Sequence, residues 1–172
     1  MIGRDALGAV VVTRADLTSD VARELITALN AELAAEYPEP GATHFRLDPA
    51  EVDAGNGVFL VAHLDGAPVG CGAVRRLRGE QIERGVGSAT GEVKRMYVAP
   101  QARRRGVARA LLARLEDEAR TLGLTRIVLE TGVRSNDALA LYRGSGFTDI
   151  PAYGEYVLSP ATSVCLGKTL TS

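Results

Sequence analysis

Four arginines crowd one short stretch that also holds two small residues, Arg103-Arg104-Arg105-Gly106-Val107-Ala108-Arg109. An apolar run ending at Val98 precedes it, Pro100 breaks the extended chain, and a helical pattern follows at once. The first N–H groups of a helix have no internal partner and point outward. Together with the helix dipole they hold anions. Gly106 lets a ligand approach the backbone, and Ala108 keeps a second small site open. The arginines add charge and forked donors for phosphate oxygens. The strand–loop–helix order therefore predicts a pyrophosphate cradle. It is not a P-loop, because GxxxxGK[ST] is absent. A bare run of Arg103 to Arg105 would be a solvated surface. The strand before it and the amphipathic helix after it give it a chemical reading.

Other reactive side chains are sparse. His44 and His63 are the two imidazoles. His63 lies in a strand pattern and reads as structural or superficial. His44 follows a Pro-Gly loop. No acidic cluster stands at metal spacing, so no metal is expected. Cys71 and Cys165 lie far apart with no CxxC, which is too little for a disulfide framework. Each sits in a strand pattern and reads as a small buried residue. A covalent acyl-cysteine would need a nearby base, and none is evident. The run Gly70-Cys71-Gly72-Ala73-Val74-Arg75 is a poor dinucleotide fingerprint, because Arg75 replaces the third Gly and no helix follows.

These residues need a scaffold, and the periodicity supplies one. Ala9 to Thr13 reads as a strand. Thr18 or Ser19 caps a helix running to about Tyr37, with Val21, Leu25, Leu29 and Leu33 as its stripe. Pro38-Glu39-Pro40-Gly41 stops it. His44 to Val52 suggests a short helix. Val58 to Leu64 and Pro68 to Leu77 form a hairpin about Asp65-Gly66. Gly79 to Gly91 reads as a polar loop. Glu92 to Val98 is the next strand. A second long helix runs from about Gly106 to Leu122, stopped by Gly123. Thr125 to Glu130 is a compact strand. Ser135 or Asn136 caps a third helix ending at Gly144 and Gly146. Phe147 to Ile150 and Ser163 to Leu170 are the last strands. This alternation predicts an α/β (α+β) fold, a mixed sheet with helices on both faces.

A chain of 172 residues fits a single domain over 1–172. Hydrophobic residues make up 46% and charged residues 24%, as in an ordinary globular protein. Twenty basic against twenty-one acidic residues give a net charge of -1. That balance, with 5% aromatics and no Trp, speaks against a nucleic-acid partner. A local stripe of Arg75, Arg76, Arg78 and Arg103 to Arg105 keeps a nucleic-acid module as a remote alternative. No apolar run approaches the roughly 20 residues of a membrane helix. Met1 to Asp5 lacks a signal-peptide pattern. A cytoplasmic protein with no membrane partner is expected.

The cradle segment resembles the acyl-CoA signature of the GCN5-related N-acetyltransferase (GNAT) superfamily, [QR]-x-x-G-x-[GA], matched by Arg103-x-x-Gly106-x-Ala108. A second match runs from Leu129-Glu130 through Ser135-Asn136 and Ala140-Leu141-Tyr142 to Gly146-Phe147. There a helix carrying Asn and Tyr is followed by Gly-Phe. In element order the resemblance covers roughly Val10 to Leu170. It implies a mostly antiparallel, twisted sheet with a V-shaped opening between the fourth and fifth strands, splayed by a bulge near Met96. Backbone groups of Met96, Tyr97 and Val98 would pair with the pantetheine amides. The amides of Arg103, Arg104, Arg105, Gly106, Val107, Ala108 and Arg109 would hold the pyrophosphate. Asn136 would contact the pantetheine arm, and Tyr142 would sit beside the thioester sulfur.

The implied activity is direct transfer of acetyl from acetyl-CoA to a primary amine. An alkylammonium with a pKa of about 10 must lose a proton first, so a base is the demanding requirement. Tyr142 is the candidate acid. Glu92 and Glu130 occupy the positions used as base in two branches of the superfamily, and a water relay needing neither is the third option. His44 would lie near the acceptor mouth, with Tyr37 to Gly41 and the loop around Tyr153, Glu155 and Tyr156. The short chain favours a small-molecule amine over a protein N-terminus or lysine. A noncatalytic acyl-CoA sensor is the alternative from another class. The resemblance also admits a homodimer.

Overall fold

The computed structural model describes residues 8–40, 47–79 and 89–172. His44, the first part of the short helix expected after it, and most of the loop expected over Gly79 to Gly91 lie outside them. The strands are β1 (Val10–Arg14), β2 (Gly57–Leu64), β3 (Ala67–Arg76), β4 (Thr90–Val98), β5 (Arg126–Gly132), β6 (Thr148–Asp149) and β7 (Ser163–Thr169). They form one sheet in the order β1-β2-β3-β4-β5-β7-β6. Every pairing is antiparallel except β4 with β5. The α-helices of the described residues are α1 (Asp20–Glu36), α2 (Val107–Thr121) and α3 (Asn136–Gly144).

The period-2 alternation of β2 sorts two cores onto opposite faces of the sheet. Leu60 and Ala62 pack with Leu111, Leu112 and Leu115 of α2. Phe59 and Val61 pack with Ala22, Leu25 and Leu29 of α1. The Ser19 side chain accepts a hydrogen bond from the Ala22 amide and caps α1 as expected. The stripe is not as expected at its start: Ala22 is buried and Val21 is exposed. Strict steps of four drift off a helix of 3.6 residues per turn, so over two turns the inward position moves by a residue. At Asp65-Gly66 both residues have positive φ, 51° and 81°. That is the turn an Asp-Gly hairpin requires. The strand expected over Phe147 to Ile150 is shorter, since β6 has two residues. Of the short 3-10 helices, Pro49–Val52 packs through Val52 on the α1-side core, and Gly154–Leu158 buries Tyr156.

The feature that positions the site is where β4 and β5 part company. Their parallel pairing runs from Thr90↔Arg126 to Val93↔Leu129 and stops there. Both strands continue, β4 to Val98 and β5 to Gly132. On its other side β4 stays paired to β3, but with an extra residue. Cys71 faces Tyr97 and Ala73 faces Lys94, so two steps on β3 match three on β4. This is a β-bulge, and Arg95 takes the left-handed φ of 57° that such a bulge uses. The added residue bends β4 away from β5, and the expected V opens at the expected place.

Candidate active site

The V is the throat of a cleft of about 1140 Å³. One wall is β4 from Val93 to Val98 and the loop into α2. The other is β5 from Glu130 to Gly132 and the first turns of α3. The end of α1, including Leu33 and Tyr37, closes a side. Of the residues expected to hold the donor, Met96, Tyr97, Val98, Arg103, Arg104, Gly106, Val107, Ala108, Arg109 and Asn136 all line this cleft. Arg105 is exposed beside them and is not on the wall.

The cradle owes its shape to backbone. Arg104 has φ 62° and Gly106, the residue preceding α2, has φ 81°. Alternating left-handed residues curl successive N–H groups into a concavity, a nest suited to anions. The space above Gly106 is open, with no atom within 4 Å of where a Cβ would stand. An anion entering that space would meet amides, not side-chain bulk. The Arg103 guanidinium is used differently. It binds both carboxylate oxygens of Glu32 at 2.7 Å and donates to the Val98 carbonyl at 2.9 Å, bracing the loop against α1. Arg104 and Arg109 are exposed on the cradle rim.

The other end of the cleft opens on the α1 face. Glu130 lines the cleft there, its side chain alternating with Leu129 of the α2-side core. Burial pushes its carboxyl up to about 7; the Ser163 hydroxyl opposes the shift, Glu92 adds to it, and Lys94 opposes it. Tyr142 also lines the cleft, 6% exposed, with its ring edge-on to Phe147 at 5.7 Å. Burial raises its phenol, and the Glu130 charge adds to the effect. A phenol held neutral is a proton donor.

Glu92 has a different setting. It is 1% exposed and stands outside the wall of the cleft, against a small side cavity of about 60 Å³. Arg75 reaches it through Nε at 2.9 Å and Nη2 at 2.7 Å, and Tyr153 donates its hydroxyl at 2.6 Å. Arg75 also pairs with Glu51. A carboxylate so fully engaged is a buried strut.

Three features of the site were not read from the sequence. Arg75 and Tyr153 meet Glu92 from 17 and 61 residues away, which no local pattern encodes. Lys94 lines the cleft with its side chain 5% exposed. Tyr37 was expected at the acceptor surface, but its hydroxyl does more. It accepts from the Arg134 amide at 2.8 Å and meets the Ser135 hydroxyl at 3.2 Å, while Arg134 lies over its ring at 5.1 Å. This ties the end of α1 to the start of α3. Gly132 permits it, since a Cβ there would fall 1.9 Å from the Tyr37 hydroxyl. His63 sits on β2 opposite Val11, away from the cleft. Cys71 is fully buried, and burial pushes its thiol up to about 12. Cys165 is buried too, at about 11. Among the described residues no three His, Cys, Asp or Glu group as a metal site, and no helix is long and apolar enough to cross a membrane.

A split parallel pair with an amide nest at one end and a perturbed carboxyl at the other is the arrangement of an acyl-CoA-dependent acyltransferase. Comparison with known proteins gives the family. Residues 22–147 match the Acetyltransferase (GNAT) family, and the chain belongs to it as an acetyl-CoA-dependent N-acetyltransferase. It is 39% identical over 151 residues to an IAA acetyltransferase of Azospirillum brasilense, covering 88% of this chain and 92% of that one. It is 34% identical to an aminoglycoside N(6')-acetyltransferase type 1 of Stenotrophomonas maltophilia, over 63% of this chain and 72% of that one. A solved structure from Klebsiella pneumoniae, described as a candidate acyl-CoA N-acyltransferase, superposes with a TM-score of 0.72 at 30% identity, covering 94% and 98% of the two chains.

Proposed function

We propose that the protein moves acetyl from acetyl-CoA directly to the primary amine of a small molecule, with Glu130 as base and Tyr142 as acid. The observation that carries this reading is Glu130. It is the carboxyl on the cleft wall at the point where the strands part, and it titrates near 7. A base is most useful when its pKa lies near the working pH. Glu130 takes a proton from the incoming ammonium, and the freed nitrogen lone pair attacks the thioester carbonyl. The C–N bond forms, the C–S bond breaks, and Tyr142 supplies a proton to the departing sulfur; the second proton that the nitrogen sheds on becoming an amide replaces the one Tyr142 gave, and Glu130 releases its own to water. Glu92 serves in this scheme as a positioning residue through its hold on Arg75 and Tyr153.

The amide nest and the adjoining edge of β4 are the features that support binding of the pyrophosphate and pantetheine. The small-molecule reading draws on the aminoglycoside-acetylating relative and on the cleft's enclosure by Tyr37 and by Arg134, which Glu39 holds in an ion pair. The test is release of CoA thiol on addition of amines, beside calorimetric titration with acetyl-CoA. Tyr142→Phe is expected to bind acetyl-CoA normally and to turn over about 10²- to 10⁴-fold more slowly. An unchanged turnover number would remove Tyr142 from the acid role. Binding without amine-dependent release would favour a sensor.

A further inference from the structure

Lys94 is an unusual residue to find in this cleft. Val93 and Leu129 are the last pair of the parallel ladder, and both side chains belong to the α2-side core. Lys94 and Glu130 come next on their strands, so both project to the α1 face at the mouth of the V. The Lys94 side chain is 5% exposed, yet its Nζ has no hydrogen-bond partner among the described residues. The Glu155 carboxylate stands at 3.7 Å, beyond hydrogen-bond reach, and is 42% exposed itself. Glu92, on the same face, is already taken by Arg75 and Tyr153. An ammonium carries three donors, and burying it with none satisfied is costly. Lys94 lines the cleft, so a ligand there can satisfy it.

We propose that Lys94 selects the acceptor, holding a carboxylate that the acceptor bears on the carbon next to its amine, so that the acceptor class is free amino acids. The inference rests on the acyl-transfer reading with Glu130 as base. The two groups then divide a zwitterion between them. The ammonium faces Glu130, which takes its proton, and the carboxylate accepts hydrogen bonds from Lys94. At the last rung, Val93↔Leu129, the strands stand about 4.8 Å apart, and Lys94 and Glu130 are one residue beyond it. An amine and a carboxylate on one carbon bridge such a gap, whereas a carboxylate several carbons away overshoots it. The Arg75–Glu92 pair beside Lys94 is closed on itself, and the ion pair with Glu155 at 3.7 Å leaves the lysine's N–H donors unfilled for a ligand. Leu29 and Leu33 of α1, also on the cleft wall, offer apolar surface to the amino acid's side chain.

The experiment compares acceptors by thiol release with the intact protein and acetyl-CoA. The panel is the standard amino acids, their carboxamides, and the carboxylate-free amines phenethylamine and spermidine. The best amino acid is expected to exceed its own carboxamide in kcat/KM by at least about ten-fold, the weight of one charge-assisted hydrogen bond. Lys94→Met is expected to bring that ratio close to one, and Lys94→Arg to restore part of it. Calorimetric titration of each variant with acetyl-CoA checks that the fold is kept. Equal use of acid and carboxamide by the unaltered protein overturns the assignment, whatever the variants do. So does a Lys94→Met variant that slows every acceptor alike. Transfer confined to carboxylate-free amines overturns it too, and leaves the acetyl-transfer reading standing. Saturable acetyl-CoA binding with no transfer to any acceptor overturns that reading and this inference together.

Discussion

Two glutamates on neighbouring strands, Glu92 fully buried and Glu130 half-buried in the cleft wall, have opposite fates, and their partners decide which. Glu130 has a hydroxyl for company, so burial dominates and its carboxyl rises to about 7. The rate should report this directly. If Glu130 is the base, kcat/KM rises with pH through about 7 and levels off above it. Glu130→Gln should remove that limb and lower kcat/KM by about 10²- to 10⁴-fold. Stability runs the other way. Between its ordinary value near 4.5 and about 7 the folded protein keeps a proton that the unfolded chain has released, so stability falls as pH rises through that window. The loss is at most about 3 kcal/mol. Urea titrations at pH 5 and pH 8 should show Glu130→Gln gaining on the unaltered protein only at the higher pH. Glu92 offers the contrast. Arg75→Met would strand its carboxylate in the interior, a change that typically costs about 3–5 kcal/mol. Glu92→Gln should therefore lower the melting temperature while the acidic limb of the rate profile stays in place. Loss of that limb in Glu92→Gln would transfer the base role to Glu92.

At the scale of elements, the loop into α2 works through its backbone. Gly106 holds φ 81° at the start of a fifteen-residue helix whose inner face is anchored by Val107, Leu111, Leu112 and Leu115. The helix is packed firmly enough that altering the residue before it should not unfold it. An L-residue in the left-handed region costs about 1–2 kcal/mol. Gly106→Ala is then expected to lose a few degrees of melting temperature. Gly106→Glu adds a negative charge in the open space of the nest and should cost at least about ten-fold in acetyl-CoA affinity, since it opposes the field of the helix terminus. Calorimetry that finds equal affinity for the two variants would sink the cradle. This element was legible because its signals are contiguous: strand, breaker, small residues and helix lie within one stretch. Helix α1 was legible too, down to its Ser19 cap. The misplacement of Val21 arose because a step of four and a step of three are both helical, and only the sheet beneath decides between Val21 and Ala22. The 3-10 helix at Gly154–Leu158 had no such signal. Its preceding residue, Tyr153, is fixed by a hydrogen bond to Glu92 across 61 positions.

Over the whole molecule, the sheet carries a deliberate gap. Four residue pairs join β4 to β5, and beyond them neither strand edge finds the other. The bulge, the splay and the cradle follow from a family resemblance in contiguous motifs. The choice between Glu130 and Glu92, and the presence of Lys94 in the cleft, depend on burial and on partners brought from other strands. A gap of this kind also predicts how the molecule responds to its donor. Acetyl-CoA lying between β4 and β5 would supply the missing ladder and join the wall of α2 to the wall of α3. Ligand that binds only the folded state adds about 2.7 kcal/mol at one hundred times its dissociation constant. For a chain of this size each kcal/mol is worth about 2–4 °C. Saturating acetyl-CoA should therefore raise the melting temperature by about 5–10 °C. Hydrogen exchange should locate the effect. Added protection is expected at Tyr97 and Val98, at the amides of 104–109 and at Glu130 to Gly132, while β1 and β2 stay as they were. Protection spread evenly over the sheet would mean that the donor tightens the fold as a whole and that the gap between β4 and β5 is not its seat.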